Sequence, residues 1–186
     1  MADVGKLSLL LAWAVAAYSL ISYLLGLRLN HKLLLSSARG GILAVGFLTT
    51  VASLLLFYLL LIGDFSVQYV YAYTNKNLPV FYKLAAFWAG NAGSLLLWAW
   101  LLSIFAVIIV TTKKGSLHKL VPFVMLFLLV NVFFFLILLN VVVNPFEKLN
   151  FTPEDGAGLN PLLQNPGMVI HPVTLYLGYV GFAIPF

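Results

Sequence analysis

The sequence predicts an all-α integral membrane protein, folded as a polytopic helical bundle. Of its 186 residues, 63% are hydrophobic and 8% are charged, whereas a soluble globular domain is about half apolar and about a quarter charged. The apolar residues form long unbroken runs rather than an alternating pattern, which favours membrane-spanning helices. The chain has no cysteine, and this excludes disulfides and thiolate metal sites within it.

Four apolar runs are long enough to cross a bilayer, at about 7–27, 41–62, 84–110 and 120–143, because about 20 helical residues span its hydrocarbon core. A fifth run starts near 172 and reaches Phe186, which is too short to span a membrane. It is either a re-entrant segment or the start of a helix that continues. We favour the second interpretation, in which 1–186 is a single transmembrane unit from the N-terminal part of a longer or split protein.

The basic residues predict how the chain lies in the membrane. Two loops, after the first and third spans, have no acid and contain Arg28, Lys32, Arg39, Lys113, Lys114 and Lys119. The other two loops have fewer basic residues and also contain acids. Since basic loops remain in the cytoplasm, we expect the N-terminus and the loops at 64–83 and 144–171 to face the outside.

The first of these outer loops is rich in aromatic residues, namely Phe65, Tyr69, Tyr71, Tyr73, Phe81 and Tyr82. Such a cluster is typical of an aromatic belt at the membrane surface. It is also suited to stacking on a flat ligand or on a partner domain. The sequence leaves both interpretations open.

The next segment places Trp88, Trp98 and Trp100 around a run of small residues at 89–94. Small residues allow helices to approach closely, so packing is the simplest explanation. Three tryptophans beside two glycines also indicate a shaped surface at the outer end of the third span.

The other polar residues have simpler explanations. His31 and His118 lie in basic loops and are expected to be solvated, as are the outer acids Glu147, Glu154 and Asp155. Asn131 and Asn140 fall within the fourth span, where amides usually bond to a neighbouring helix. Nothing in the sequence indicates a nucleic-acid surface, a phosphate-binding glycine loop or a serine–histidine–aspartate triad.

The most informative segment is Asn160–Phe186, which is polar and rich in proline up to His171 and then apolar. This pattern predicts that His171 lies where an outer loop meets the fifth helix, held between Pro166, Gly167 and Pro172. Neutral imidazole is a common ligand of metals and of haem iron. His171 is therefore the candidate ligand of a metal or a haem.

Four motifs resemble a known family in their order and spacing: DFSVQYV at 64–70, LPVFYKLAAFWAGNAGSLLLWAW at 78–100, NPF at 144–146 and LNPLLQNPGMVIHPVTLYLGYVGFAIPF at 159–186. The chain resembles the N-terminal part of haem lyase subunits of cytochrome c maturation, the CcmF/NrfE/CcsA-type family of haem-handling membrane proteins. The first sixty residues match this family only in hydropathy.

The resemblance implies a multi-pass protein of the bacterial or archaeal cell (inner) membrane, with its haem chemistry on the periplasmic or outer side. His171 takes the position of one outer axial ligand of the haem iron. The haem is haem b, delivered by a haem chaperone and attached to the CxxCH thiols of apocytochrome c. The expected partners are the chaperone, apocytochrome c, other maturation subunits and membrane lipid. The second outer histidine and the histidines of a resident b-type haem correspond to positions outside this chain.

The resemblance also suggests a haem-facing surface made of Trp88, Gly90, Gly93, Trp98, Pro172 and Tyr176. Many members have GxHEGS where this chain has GNAGS at 90–94, which favours packing over a ligand or acid role there. The family's HPP is His171-Pro172-Val173 here. The alternative function is a non-catalytic membrane subunit that docks the chaperone or other assembly partners. A transporter ranks lower, because 186 residues show no internal repeat.

Overall fold

The computed structural model describes residues 1–112 and 121–183 and is built from α-helices. The helices are α1 (Ala2–Arg28), α2 (Lys32–Ile62), α3 (Gln68–Tyr73), α4 (Val80–Ala85), α5 (Asn91–Thr112), α6 (Val121–Ile137) and α7 (Pro166–Phe182). Short 3₁₀ turns cover Ala86–Trp88 and Pro161–Leu163, and a π-helical segment, Leu138–Val142, extends α6. Four helices, α1, α2, α5 and α6 with its extension, are long and apolar enough to cross a membrane. The predicted polytopic bundle is confirmed.

The four long helices pack in a closed order, α1 on α2, α2 on α5, α5 on α6 and α6 on α1. Small residues let the backbones approach at these contacts. A Cβ atom on Gly41 of α2 would overlap the Ser19 hydroxyl of α1, and one on Gly46 would lie 2.5 Å from Val107 of α5. A larger residue at either position would force the facing side chain of the neighbouring helix to move.

Polar bonds fix the register of α2 against α5. The Thr49 and Ser103 hydroxyl oxygens are 2.7 Å apart in the buried interface. One position further along α2, Trp100 Nε1 donates to the Thr50 hydroxyl over 2.9 Å. Side-chain bonds of this kind between membrane helices contribute about 0.6–2 kcal/mol each. Trp100 is thus a structural residue of this interface.

The second helix begins nine residues before the predicted start at 41, because His31 caps it. His31 lies at the N-cap, and its Nδ1 accepts from the Leu34 amide over 3.4 Å. Lys32 and Arg39 are therefore helical rather than in a loop. A helix of this length is about 46 Å long, so its basic first turns extend past the hydrocarbon. His118 and the lysines at 113, 114 and 119 lie outside the described residues.

The predicted third span, 84–110, is interrupted. Residues 80–85 form α4, a 3₁₀ turn follows, and the continuous span α5 begins only at Asn91. Hydropathy does not register the interruption, because the residues around Gly90 are small rather than polar. The break is stabilised by side chains, since Ser94 Oγ donates to the Trp88 carbonyl over 2.8 Å. The Tyr69 hydroxyl bonds to further backbone groups at this break.

The fourth span ends in the π-helical segment, which contains Asn140. Its Nδ2 donates to the Leu9 carbonyl of α1 over 3.2 Å and to the Leu136 carbonyl over 2.7 Å. The prediction that Asn140 bonds to a neighbouring helix is confirmed. The same prediction for Asn131 is wrong, because its Nδ2 donates to the Phe127 carbonyl of its own helix.

The last helix, α7, also begins earlier than predicted, at Pro166 rather than near 172. Asn165 is its N-cap, and its Oδ1 accepts from the Gly167 amide over 2.8 Å. Proline at the first helical position after an asparagine cap is a strong start signal. The prediction relied on the change in hydropathy at His171, but capping sets the start of this helix. His171 lies in its second turn and not in a loop.

The N-terminus and both long loops meet at one end of the bundle, in what we call the cap (residues 63–90 and 143–165). Lys148 Nζ lies 2.6 Å from an Asp3 carboxylate oxygen. The ring of Phe146, 1% exposed, fills the space beside Gly5. The two loops are joined by a backbone bond of 2.8 Å from the Gln68 amide to the Glu147 carbonyl.

Candidate functional site

The cap is organised around the buried hydroxyl of Tyr69 on α3. This hydroxyl accepts from the Gly90 amide over 3.0 Å and donates to the Phe87 carbonyl over 2.9 Å, with the Ala86 carbonyl 3.1 Å away. Burial raises the pKa of the Tyr69 phenol well above its usual value, so it stays protonated as a donor. Tyr69 thus bonds to an amide and to carbonyls that the break before α5 leaves without helical partners.

Several rings of the aromatic loop at 64–83 are buried rather than presented as a belt or a stacking platform, whereas Phe81 is 49% exposed. Tyr69 and Phe65 are buried, and the ring of Tyr73 lies 4.7 Å from that of Tyr69. Phe87 stacks on Phe57 of α2 at 4.2 Å. These rings form the core of the cap.

The two glycines predicted to face a haem, Gly90 and Gly93, lie against this core. A Cβ atom on Gly90 would overlap the ring of Tyr73. One on Gly93 would lie 2.8 Å from Cζ of Tyr69 and closer still to the Phe87 carbonyl oxygen. The structure thus uses both glycines for close packing, as the GNAGS sequence favours, and their role at a haem stays a prediction.

The three tryptophans have separate environments. Trp88 is half-buried in the 3₁₀ turn, and its carbonyl accepts the hydrogen bond from Ser94 Oγ. Trp98 packs between α6 and α7, with ring centroids 4.9 Å from Phe135, 5.4 Å from Tyr176 and 5.8 Å from Tyr179. Because α7 packs chiefly on α5, Trp98 is its main anchor to the bundle.

His171 lies on the opposite side of α7 from Tyr176, one of the two tyrosines that contact Trp98. Tyr176 follows it by five residues, and at about 100° per residue the two side chains point about 140° apart. The buried face of α7 contains Val169 and Val180, whereas His171 is exposed. Within residues 1–112 and 121–183 no hydrogen bond engages its imidazole. The structure brings Trp98 and Tyr176 together but separates both from His171.

Pro172 lies inside α7, directly after His171. Its nitrogen has no hydrogen, so it cannot make the bond to the Met168 carbonyl that the helix would otherwise contain. It also restricts the backbone of His171, the residue before it. Thr174 Oγ1 donates to the His171 carbonyl over 2.9 Å and to that of Ile170 over 3.3 Å. Pro172 and Thr174 therefore act on the backbone of His171, and a haem-facing role for Pro172 stays a prediction.

Two adjoining grooves open beside the start of α5. One has a volume of about 370 Å³ and is bounded by α3, the end of α6 and the loop after it; among its lining residues are Gln68, Asn144 and Glu147. The other, about 390 Å³, lies between α5, α6 and α7 and includes Trp98 and Tyr176. Asn91, Val142 and Val143 line both. His171 lines neither groove.

Sequence reasoning assigned Asp155 to a solvated surface, and the structure gives it a bond-making role. Its Oδ1 accepts from the amide of Lys76 over 2.8 Å and from that of Gly156 over 2.7 Å. These bonds hold the pKa of the Asp155 carboxyl below its usual value. They also fasten the acidic loop onto the end of α3. An aspartate before glycine in a loop is a turn signal that indicated part of this role.

Asn91 and Gln68, which line the polar groove, were not singled out from the sequence. Nothing local distinguishes Gln68 from a solvated loop residue, because its position depends on the pairing of two loops distant in sequence. Asn91 had a usable signal, since an asparagine among small apolar residues favours a helix start.

Comparison with known proteins identifies the family to which this chain belongs. A family profile described as "Cytochrome C assembly protein" matches residues 88–186. The cytochrome c-type biogenesis protein CcmF of Haemophilus influenzae is 36% identical over 188 residues, covering 100% of this chain and 29% of that protein. The NrfE protein of the same organism is 33% identical, over 99% of this chain and 29% of its own length.

A solved structure, "Cytochrome c Heme Lyase CcmF", superimposes with a TM-score of 0.81 at 27% identity, covering 99% of this chain and 29% of that one. These matches include the first sixty residues, where the sequence alone showed only a similar hydropathy. The chain spans about three tenths of the length of these relatives. The chain belongs to the cytochrome c assembly protein family.

Proposed function

We propose that this chain contributes to haem handling in cytochrome c maturation, with His171 as one axial ligand of a haem that is being attached to apocytochrome c. The proposal depends on the position of His171. Its imidazole is exposed and makes no hydrogen bond within the described residues, and it lies near the start of α7, at the end of the bundle where the cap is. Neutral imidazole suits haem iron. The names of the relatives, cytochrome c-type biogenesis proteins and a cytochrome c haem lyase, supply the chemical context.

The residues around His171 fit a coordinating role. The side chain is on the second turn of a capped helix, so the backbone beneath it is fixed. Pro172 and Thr174 restrict the His171 backbone, and Trp98 holds α7 against α5. A ligand held in this way needs little reorganisation when it binds iron, which is the benefit of a pre-positioned site.

Haem is the substrate of the proposed reaction and supplies its vinyl groups, while apocytochrome c supplies the two thiols. Each thiol adds across one vinyl double bond, so that a carbon–sulfur bond forms and the thiol hydrogen passes to the other vinyl carbon. The absence of cysteine from this chain is consistent with thiols that belong to the substrate. The contribution of His171 is to hold the ring in position. The same proposal places this reaction on the outer side of the cell membrane and has a haem chaperone deliver the haem. The distribution of basic residues and the family motifs support these two parts.

The test is the haem spectrum of the membrane complex purified with co-expressed haem chaperone, comparing wild type with His171→Ala. We expect loss of the delivered haem, with any resident b-type haem signal kept, and partial recovery of His171→Gly by added imidazole. His31→Asn is the matched control. It removes an exposed histidine at the start of α2, and asparagine still serves as an N-cap residue there.

Unchanged haem content and unchanged cytochrome c maturation in His171→Ala would overturn the assignment. Loss of maturation with normal haem binding would instead favour the alternative, a non-catalytic subunit that docks the chaperone or other assembly partners.

A further inference from the structure

The two grooves beside α5 form one amphipathic depression that the proposed haem function does not use. Its upper part is lined by the polar residues Gln68, Asn91, Asn144 and Glu147, together with residues of α3 and the end of α6. Its lower part is lined mainly by apolar and aromatic groups, including Leu95, Trp98, Leu138 and Tyr176. Each part has a volume within the range of about 300–1,000 Å³ found for small-molecule sites.

The depression runs along α5. Its polar end is at Asn91, the first residue of α5, and its apolar end is at Trp98, seven residues further along the helix. At a rise of 1.5 Å per residue the two ends are about 10 Å apart in depth. This is the geometry of a headgroup at the interface with a chain below it in the hydrocarbon. The π-helical end of α6 gives the site its shape, since Val142 in that segment lines both parts.

The charges in the depression select among possible occupants. Glu147 is exposed at its rim, and within the described ranges it forms no ion pair. No lysine or arginine lines either part. A haem would bring two propionates to a carboxylate and would find neither histidine nor methionine to bind its iron. An anionic lipid would lack a counter-charge.

We propose that this depression binds an aminophospholipid of the phosphatidylethanolamine type. The ammonium group would donate to the Glu147 carboxylate and to the Gln68 amide oxygen, as charge-assisted bonds do. The amide NH₂ groups of Asn91 and Asn144 can donate to the phosphate. The NH₂ of Asn144 is available for this, because its bond within the protein uses its Oδ1, which accepts from the Phe146 amide over 2.9 Å. One acyl chain would run beside Leu95 and Leu138 to the Trp98 ring. A choline headgroup has no N–H and could not make the first of these bonds.

The test uses the full-length protein in nanodiscs that contain a photoreactive phosphatidylethanolamine, with photoreactive phosphatidylcholine and phosphatidylglycerol in parallel. Crosslinked peptides are identified by mass spectrometry. We expect labelling of the 91–98 and 138–147 segments by the ethanolamine lipid, and about tenfold weaker labelling in Glu147→Gln, the size expected for one charge-assisted hydrogen bond. Glu154→Gln is the matched control, an exposed acid of the same loop that does not line the depression.

A second variant tests the site without changing its charge. Val142 is 66% exposed, so Val142→Phe adds a ring at the junction of the two parts without entering the core. We expect it to reduce labelling by the ethanolamine lipid and to leave the melting temperature unchanged. Equal labelling by all three lipids, or full labelling of Glu147→Gln, would overturn the proposal. Labelling of other segments alone would place the lipid elsewhere and would also overturn the proposal.

Discussion

Replacement of Gly93 by alanine tests whether the cap is organised around the Tyr69 hydroxyl. The added Cβ atom would lie 2.8 Å from Cζ of Tyr69 and nearer still to its hydroxyl and to the Phe87 carbonyl oxygen. Real Cβ atoms do not approach so closely, so either Tyr69 or the 86–90 backbone must move. Movement of Tyr69 breaks its bonds to Gly90 N and Phe87 O, which are 3.0 and 2.9 Å long.

The size of the effect follows from the burial of these groups. A buried backbone donor or acceptor left without a partner costs about 1–3 kcal/mol, so two of them cost about 2–6 kcal/mol. In a protein of this size each kcal/mol lowers the melting temperature by about 2–4 °C. We therefore expect Gly93→Ala to melt at least about 4 °C below wild type, as followed by tryptophan fluorescence of the purified protein.

Gly40→Ala is the matched control, since it is the same chemical change in another helix. Gly40 lies within α2, is exposed and has open space around the Cβ position. Alanine in a helix interior is favoured over glycine by about 0.5–1 kcal/mol, so this variant should melt slightly above wild type. The opposite signs of the two effects distinguish steric overlap from helix propensity.

Tyr69→Phe completes a double-mutant cycle, because it removes the hydroxyl and keeps the ring. If the overlap at Gly93 acts through this hydroxyl, Gly93→Ala costs less in the Tyr69→Phe background than in wild type. A melting temperature for Gly93→Ala within 1 °C of wild type, in a monodisperse sample, would refute the packing described here.

Two further predictions concern the acidic loop and α7. The folded-state pKa of Asp155 is below its ordinary value of 3.8, so its bonds are intact above that pH and are lost as the pH falls through the folded pKa. Hydrogen exchange at the Lys76 amide, corrected for the intrinsic rate, should therefore increase below about pH 3.8 in wild type and in Glu154→Gln. In Asp155→Asn it should be insensitive to pH in that range, and the same acid response in Asp155→Asn would contradict the assignment. Trp98→Ala should loosen α7, because it removes three aromatic contacts worth about 0.5–1.5 kcal/mol each. It should increase exchange in α7 while leaving α1 and α2 protected. Uniform protection of α7 would show that its anchor lies elsewhere.

Hydropathy was sufficient to predict the helical bundle, but it was insufficient to predict where its helices begin and end. The four spans follow from run length alone, because the bilayer sets a length that the apolar runs meet. The starts of α2 and α7 depend on His31 and Asn165, which cap the helices by accepting from backbone amides. A hydropathy profile contains no such information, although the asparagine–proline–glycine sequence at 165–167 indicated the second start.

The interior of the cap was beyond sequence reasoning, since its central bonds join residues far apart in the chain. Tyr69 reaches Phe87 and Gly90, and Asp155 reaches Lys76. An aromatic-rich loop is compatible with a belt, a platform or a core, and only the partner residues decide among them. The family motif at 78–100 marks this region as specific without stating what its glycines contact.

The separation of His171 from Trp98 and Tyr176 has a direct consequence for the haem site. A single flat ring bonded to His171 cannot also stack on Tyr176, because the two side chains leave α7 about 140° apart. On the proposal that His171 binds the haem iron, Trp98 and Tyr176 act on His171 through the helix, by holding one face of α7 against α5. If so, Trp98→Ala should weaken haem binding by loosening α7, and Trp98→Phe, which keeps an aromatic ring at that contact, should largely restore it. Equal loss of haem in both variants would instead place the indole itself at the haem.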